Sequence, residues 1–72
     1  MISEYDYEDL AEKAIHFNAT KDDLISLWIW FERYGYQYWN GECYEIDSNH
    51  YLYPIYEEDE NGYYNFLGCE IR

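Results

Sequence analysis

From Tyr7 onward, apolar residues recur at helical spacing. Tyr7, Leu10, Ala14 and Phe17 fall on one stripe, with Ala11 and Ile15 beside it. Ser3 with Asp6 three residues later forms a capping box in which Asp stands for Glu, and Asn18 supplies a stop. The spacing predicts a helix over about Glu4 to Phe17. Thr20 with Asp23 repeats the cap, and Asp22 and Asp23 suit the positive end of a helix dipole. Leu24, Leu27, Trp28 and Phe31 then sit at i, i+3, i+4 and i+7, and Gly35 closes the pattern, so a second helix runs from about Lys21 to Tyr34. Ile25, Ile29 and Trp30 lie off that stripe. A helix apolar almost all round belongs at the centre of its fold, and a sheet is expected to cover its second side.

After Gly35 the pattern changes to aromatic and β-branched runs broken by turn residues: Asn40-Gly41, Asp47 to His50, and Glu60 to Gly62. Strands are predicted at about Tyr36 to Trp39, Glu42 to Ile46, Tyr51 to Tyr56 and Tyr63 to Ile71. Asn40-Gly41 between aromatic runs reads as a type I′ hairpin turn. Pro54 conflicts with an interior position for the third strand, because it has no N–H for a ladder. Either it meets a bulge or its strand lies at an edge. The expected fold is α+β: two N-terminal helices packed on a three- to four-stranded antiparallel sheet.

Length sharpens this into one small domain, residues 1–72. A chain this short buries only about 60% of its unfolded surface. The 24% aromatic content offsets part of that, since each ring buries a large area. Charge changes the picture more. Sixteen acids face four bases, Lys13, Lys21, Arg33 and Arg72, for a formal net charge of -12. No basic patch can be assembled from these, which argues against direct binding of nucleic acid, and an anionic membrane would repel the chain. The longest apolar run, Leu27 to Phe31, is far too short to span a bilayer. The opening MISEYDYEDL lacks the basic and apolar regions of a secretion signal, so a cytoplasmic setting is expected. Asn18-Ala19-Thr20 matches a glycosylation acceptor but reads here as a helix boundary.

Candidate chemistry is sparse. Counting from Glu57, Asp59, Asn61 and Gly62 occupy positions three, five and six of a calcium loop, but position one is Glu and position twelve, which needs a bidentate Glu, is Gly68. The stretch reads as a hairpin tip instead. Cys43, Cys69, His16 and His50 are the only soft metal ligands, and their spacing matches no zinc motif. The two cysteines allow one disulfide at most, and they read as small core residues in strands. No nucleophile–base pair, phosphate-binding glycine loop or cofactor motif is present, so neither an enzyme nor a cofactor is expected.

The acids carry more information. Glu4, Glu8 and Glu12 recur every four residues, a row with steps of about 6 Å along a helix. Only Lys13 is placed to relieve them, chiefly by pairing with Asp9. Glu57, Glu58, Asp59 and Glu60 form a second set between Tyr56 and Tyr63, which offer flat amphipathic contact area. A solvated surface explains the presence of charge but not its sign.

In size and charge, though in no motif, the chain resembles small acidic anti-defence proteins of phages and mobile elements, the anti-restriction and anti-CRISPR proteins that mimic nucleic acid. The resemblance implies an inhibitor that occupies a basic channel meant for DNA or RNA on a partner such as a CRISPR effector or restriction enzyme. The expected contact residues are Glu4, Glu8, Glu12, Glu57, Glu58, Asp59 and Glu60, with Tyr56 and Tyr63. The alternative is an interaction module, a homodimer or a scaffold, that uses Trp28, Trp30 and the sheet tyrosines.

Overall fold

A computed structural model describes residues 6–72. Helix α1 spans Tyr7–Ile15 and α2 spans Lys21–Tyr34. Strands β1 (Tyr44–Asp47), β2 (His50–Glu58) and β3 (Tyr64–Ile71) form an antiparallel sheet in the order β1-β2-β3. The class is α+β with both helices ahead of the sheet. Of the expected caps for α1, Ser3 lies outside the described residues, as does Glu4. Asp6 takes the N-cap position and makes no side-chain cap bond.

Helix α2 starts as its pattern predicts. The Thr20 hydroxyl accepts from the Asp23 backbone N–H at 3.1 Å, and the Asp23 carboxylate accepts from the Thr20 N–H at 3.0 Å. Leu27, Trp28, Trp30 and Phe31 are buried. The helix is central, but its second side is covered by α1 and not by a sheet: Tyr7 stacks on Trp30 with ring centroids 4.1 Å apart. On the other side Trp28 and Phe31 pack on Tyr44, at 4.9 and 4.7 Å. Leu52 on β2 is fully buried beneath them.

Helix α1 ends earlier than its apolar stripe suggests. Phe17 N–H bonds to Ala14 C=O and Asn18 N–H to Lys13 C=O, a paired closure that puts Phe17 in the left-handed conformation at φ 57°. The stop is thus one residue before Asn18. Phe17 leaves the stripe and is 69% exposed, while Ala11 and Ala14 stay buried.

The strand expected at Tyr36 to Trp39 is absent. Tyr36–Tyr38 is a 3-10 turn, and only Trp39 makes a bridge, to Tyr44. Gly35 is the reason. It packs so tightly after α2 that a Cβ there would lie 2.6 Å from a Trp30 ring atom and 2.7 Å from a Phe31 ring atom. The chain turns at once around that contact; Tyr36 is exposed, and Tyr38, partly exposed, sets its ring edge-on to Phe31 at 6.1 Å. The Asn40-Gly41 reversal exists, but it is not type I′. Asn40 does not adopt the positive φ that type I′ requires, and Cys43 N–H bonds to the Asn40 side chain at 3.0 Å.

Pro54 finds its place through the shortness of β1. Tyr51 and Arg72 exchange both backbone bonds, at 2.9 Å each. Odd residues of β2 therefore direct backbone groups toward β3, and even residues toward β1. Strand β1 reaches only to Tyr44, opposite Leu52. Pro54 is on the central strand, yet its missing N–H falls on an open edge. Further along, the register shifts between Ile55, opposite Gly68, and Tyr56, opposite Phe66, which leaves Leu67 as the extra residue of a bulge.

Candidate partner-binding arm

Beyond Leu52, β2 has no paired strand on the β1 side among the described residues, so β2 and β3 continue as a two-stranded ribbon. The molecule measures 38 × 23 × 22 Å, and this arm ends in exposed residues on both strands. The ribbon pairs Tyr56 with Phe66, Glu57 with Asn65, and Glu58 with Tyr64. Residues directly opposite share a face. Leu52 faces the helices, so Tyr56, Glu58, Phe66 and Tyr64 also lie on the helix-side face by alternation. Ile55, Glu57 and Asn65 lie on the other. Tyr56 and Phe66 rings are 5.8 Å apart, and Phe66 reaches back to Trp28 at 5.6 Å. The exposed rings thus continue an aromatic array that begins in the core.

The tip is built by Asp59. Its Oδ1 accepts from Asn61 N–H at 2.9 Å and Tyr63 N–H at 3.0 Å, and its C=O accepts from Gly62 N–H at 3.1 Å. Glu60 and Asn61 make the turn, and Gly62 follows with φ 85°, a conformation glycine reaches without steric cost. The turn is therefore one residue earlier than an Asn61-Gly62 pairing suggests. Asp59 is a structural acceptor for its own loop. Glu57, Glu58 and Glu60 are exposed, with no ion-pair partner among the described residues; the contacts of that kind there are Glu70 with Arg72 and the Asp47–His50 hydrogen bond, ionic when His50 carries a second proton. Lys13 accordingly forms no pair with Asp9.

The predicted contact residues divide. Glu57, Glu58, Asp59, Glu60, Tyr56 and Tyr63 come together on the arm, with Tyr63 71% exposed. Glu8 and Glu12 are exposed on α1, which lies at the other end of β2: the Tyr7 hydroxyl donates to Ile46 C=O at 3.4 Å, and Phe17 meets the His50 ring. His50 and Glu58 are separated by the length of β2, about 26 Å at strand rise. Glu4 lies outside the described residues. Trp28 and Trp30, expected to form an interaction surface, are each only 8% exposed and are taken up by the core. Tyr64 flanks the acidic loop in the sequence and is exposed, whereas Phe66 is marked there only by the uncharged run "YYNFLGC" at 63–69.

Titration behaviour follows burial and hydrogen bonding. Asp47 is held below the usual carboxylate range, chiefly by the Asn49 N–H and then by His50, whose Nδ1 is 2.9 Å from Asp47 Oδ1. Asp23 is lowered by the Thr20 N–H. Burial raises Tyr7 and Tyr44. Tyr53 is raised first by its bond to the Cys43 thiol. Cys43 and Cys69 are free and buried. By register Cys69 is on the helix side and Cys43 is on the opposite face with Tyr53, and burial pushes the Cys69 thiol up to about 12. Among the described residues no group of three or more His, Cys, Asp or Glu is placed to hold a metal ion, and no helix is long and apolar enough to cross a membrane. Compared with known proteins, the chain matches no family model, no curated protein and no solved structure.

Proposed function

We propose that this is a non-enzymatic binding protein whose arm occupies a basic, nucleic-acid-binding surface of a partner protein and excludes the nucleic acid by competition. The observation that carries the reading is the arm itself. It combines exposed, unpaired carboxylates at Glu57, Glu58 and Glu60 with exposed rings at Tyr56 and Tyr63, in a chain of net charge -12. A negatively charged projection speeds encounter with a basic cleft, and flat aromatic area holds the contact once made. Asp59 serves the tip and is not a contact residue in this reading. The separation of Glu8 and Glu12 from the arm makes them a second, independent set.

CRISPR effectors and restriction enzymes are the partner class implied by the resemblance in charge and size to anti-defence proteins. The test is displacement of duplex DNA from such proteins across a salt series, with Glu57, Glu58 and Glu60 all changed to Lys in one variant and Glu8 and Glu12 in another. Displacement that weakens with salt and is lost in the arm variant supports the proposal. Equal displacement by wild type and arm variant, with a flat salt response, overturns it.

A further inference from the structure

Among the described residues both edges of the arm are open, and they are built differently. On the β2 edge, Pro54 lacks a donor and Glu58 puts a carboxylate beside the backbone, the features that discourage strand addition. The β3 edge has neither. Tyr63 to Cys69 contains no charged residue and no proline in a chain that is 28% charged. Asp59 N–H bonds to Tyr63 C=O, which shows that odd residues of β2 still face β3 beyond the bulge. Tyr56 and Glu58 are even, so their partners Phe66 and Tyr64 direct N–H and C=O outward. Those groups have no backbone partner among the described residues. Tyr64 is 69% exposed.

We propose that the β3 edge of the arm accepts an extended cationic strand of the partner by β-sheet addition. Its Lys or Arg side chains lie over Tyr64, Phe66 and Tyr56, beside the Glu58 carboxylate. The proposal rests on the reading that the partner surface is basic, and it specifies the contact. Three ring faces and one carboxylate on one side of a ribbon suit an ammonium or guanidinium group, which is drawn to a ring face and paired by a carboxylate. A strand added about 4.8 Å from β3 brings its alternate side chains onto that same face. Charge selects the occupant. A nucleic acid strand is repelled by Glu57, Glu58 and Glu60, and a second copy of this chain adds another -12.

The probe is a nine-residue peptide of alternating Arg and Thr, with a control in which Pro replaces each Thr. The chain is tested as wild type, Tyr64→Ala and Tyr64→Pro. Both variants lose the ring, but only Pro also loses the outward N–H; no bond to β2 is lost. Expected is binding at low salt, about tenfold weaker for the Pro peptide, and about tenfold weaker for Tyr64→Pro than for Tyr64→Ala, the scale of one backbone bond. Amide exchange at Tyr64 and Phe66 in the wild-type chain should slow on adding the Arg-Thr peptide, a measurement independent of how the variants fold. Equal binding of both peptides with no slowing overturns strand addition, while salt-sensitive binding leaves the basic-partner reading intact. No binding at low salt overturns both. A dimer in sedimentation that the peptide fails to dissociate overturns the proposal in favour of self-pairing.

Discussion

Gly35→Ala isolates one steric contact. At φ -121° the backbone conformation is open to alanine, so no strain enters through the dihedral angle. The added methyl would meet Trp30 Cζ3 at 2.6 Å and Phe31 Cδ1 at 2.7 Å, both within rigid rings of the core. Overpacking of this kind destabilises by about 1–3 kcal/mol. Restricting the unfolded chain returns only about 0.4–1 kcal/mol. With two rings clashing at once, the net loss is expected near the upper half of the range, about 2 kcal/mol, or a fall of roughly 8–16 °C in Tm for a domain of this size. Urea denaturation followed by far-UV circular dichroism reads the change directly. Gly41→Ala is the control. Nothing lies within 4 Å of its Cβ, but its φ is 101°. Loss at Gly41 comes from backbone strain and should be partly relieved by Asn, whereas at Gly35 Asn should be worse than Ala. A Gly35→Ala protein with an unchanged or higher midpoint refutes the close-packing account of why the chain turns after α2.

Phe17→Gly removes an aromatic residue from the left-handed region and is expected to raise stability by about 0.5–1 kcal/mol, read as a higher urea midpoint; a loss would mean that the exposed ring packs more tightly than its accessibility indicates. Asp23 and Asp47 are both held below their ordinary 3.8, so their stabilising bonds are complete above that pH and are lost as pH falls through the lowered values. The difference in midpoint between wild type and Asp23→Ala should be constant near neutrality and vanish at strongly acid pH; a difference that persists there contradicts the assignment. Both thiols should react slowly with a disulfide reagent at pH 8, at the rate of chain opening, and fast in denaturant; a rapid burst from the folded protein would count against the burial of Cys43 and Cys69.

How far the sequence can be read depends on whether a contact is local. Thr20 and Asp23 are three residues apart and bond as their spacing indicates. The α2 stripe likewise needs only its own period. Phe17 fits the stripe by counting, but the closing hydrogen bonds of α1 turn it out of register. Tyr36 to Trp39 has the composition of a strand. It forms none because Gly35 docks on rings of the preceding helix, a contact that composition does not encode. The acidic tip was legible as a turn, since Asp59, Asn61 and Gly62 are turn formers together. What makes it an arm was not legible: β1 stops at Tyr44, and no residue within 57–60 signals where a strand two elements away will end. The same holds for the distance between Glu8, Glu12 and the tip, which is a property of topology.

The contact between Phe66 and Trp28 has an optical consequence. Trp28 is the indole that touches the arm, whereas Trp30 stacks on Tyr7 on the far side of α2. Anything that shifts Phe66 changes the surroundings of Trp28, spares Trp30, and reaches the third indole, Trp39, only through its edge contact with Trp28 at 6.0 Å. The emission of Trp28 is therefore a native reporter of arm occupancy, readable without a label and separable from unfolding, which exposes every indole together.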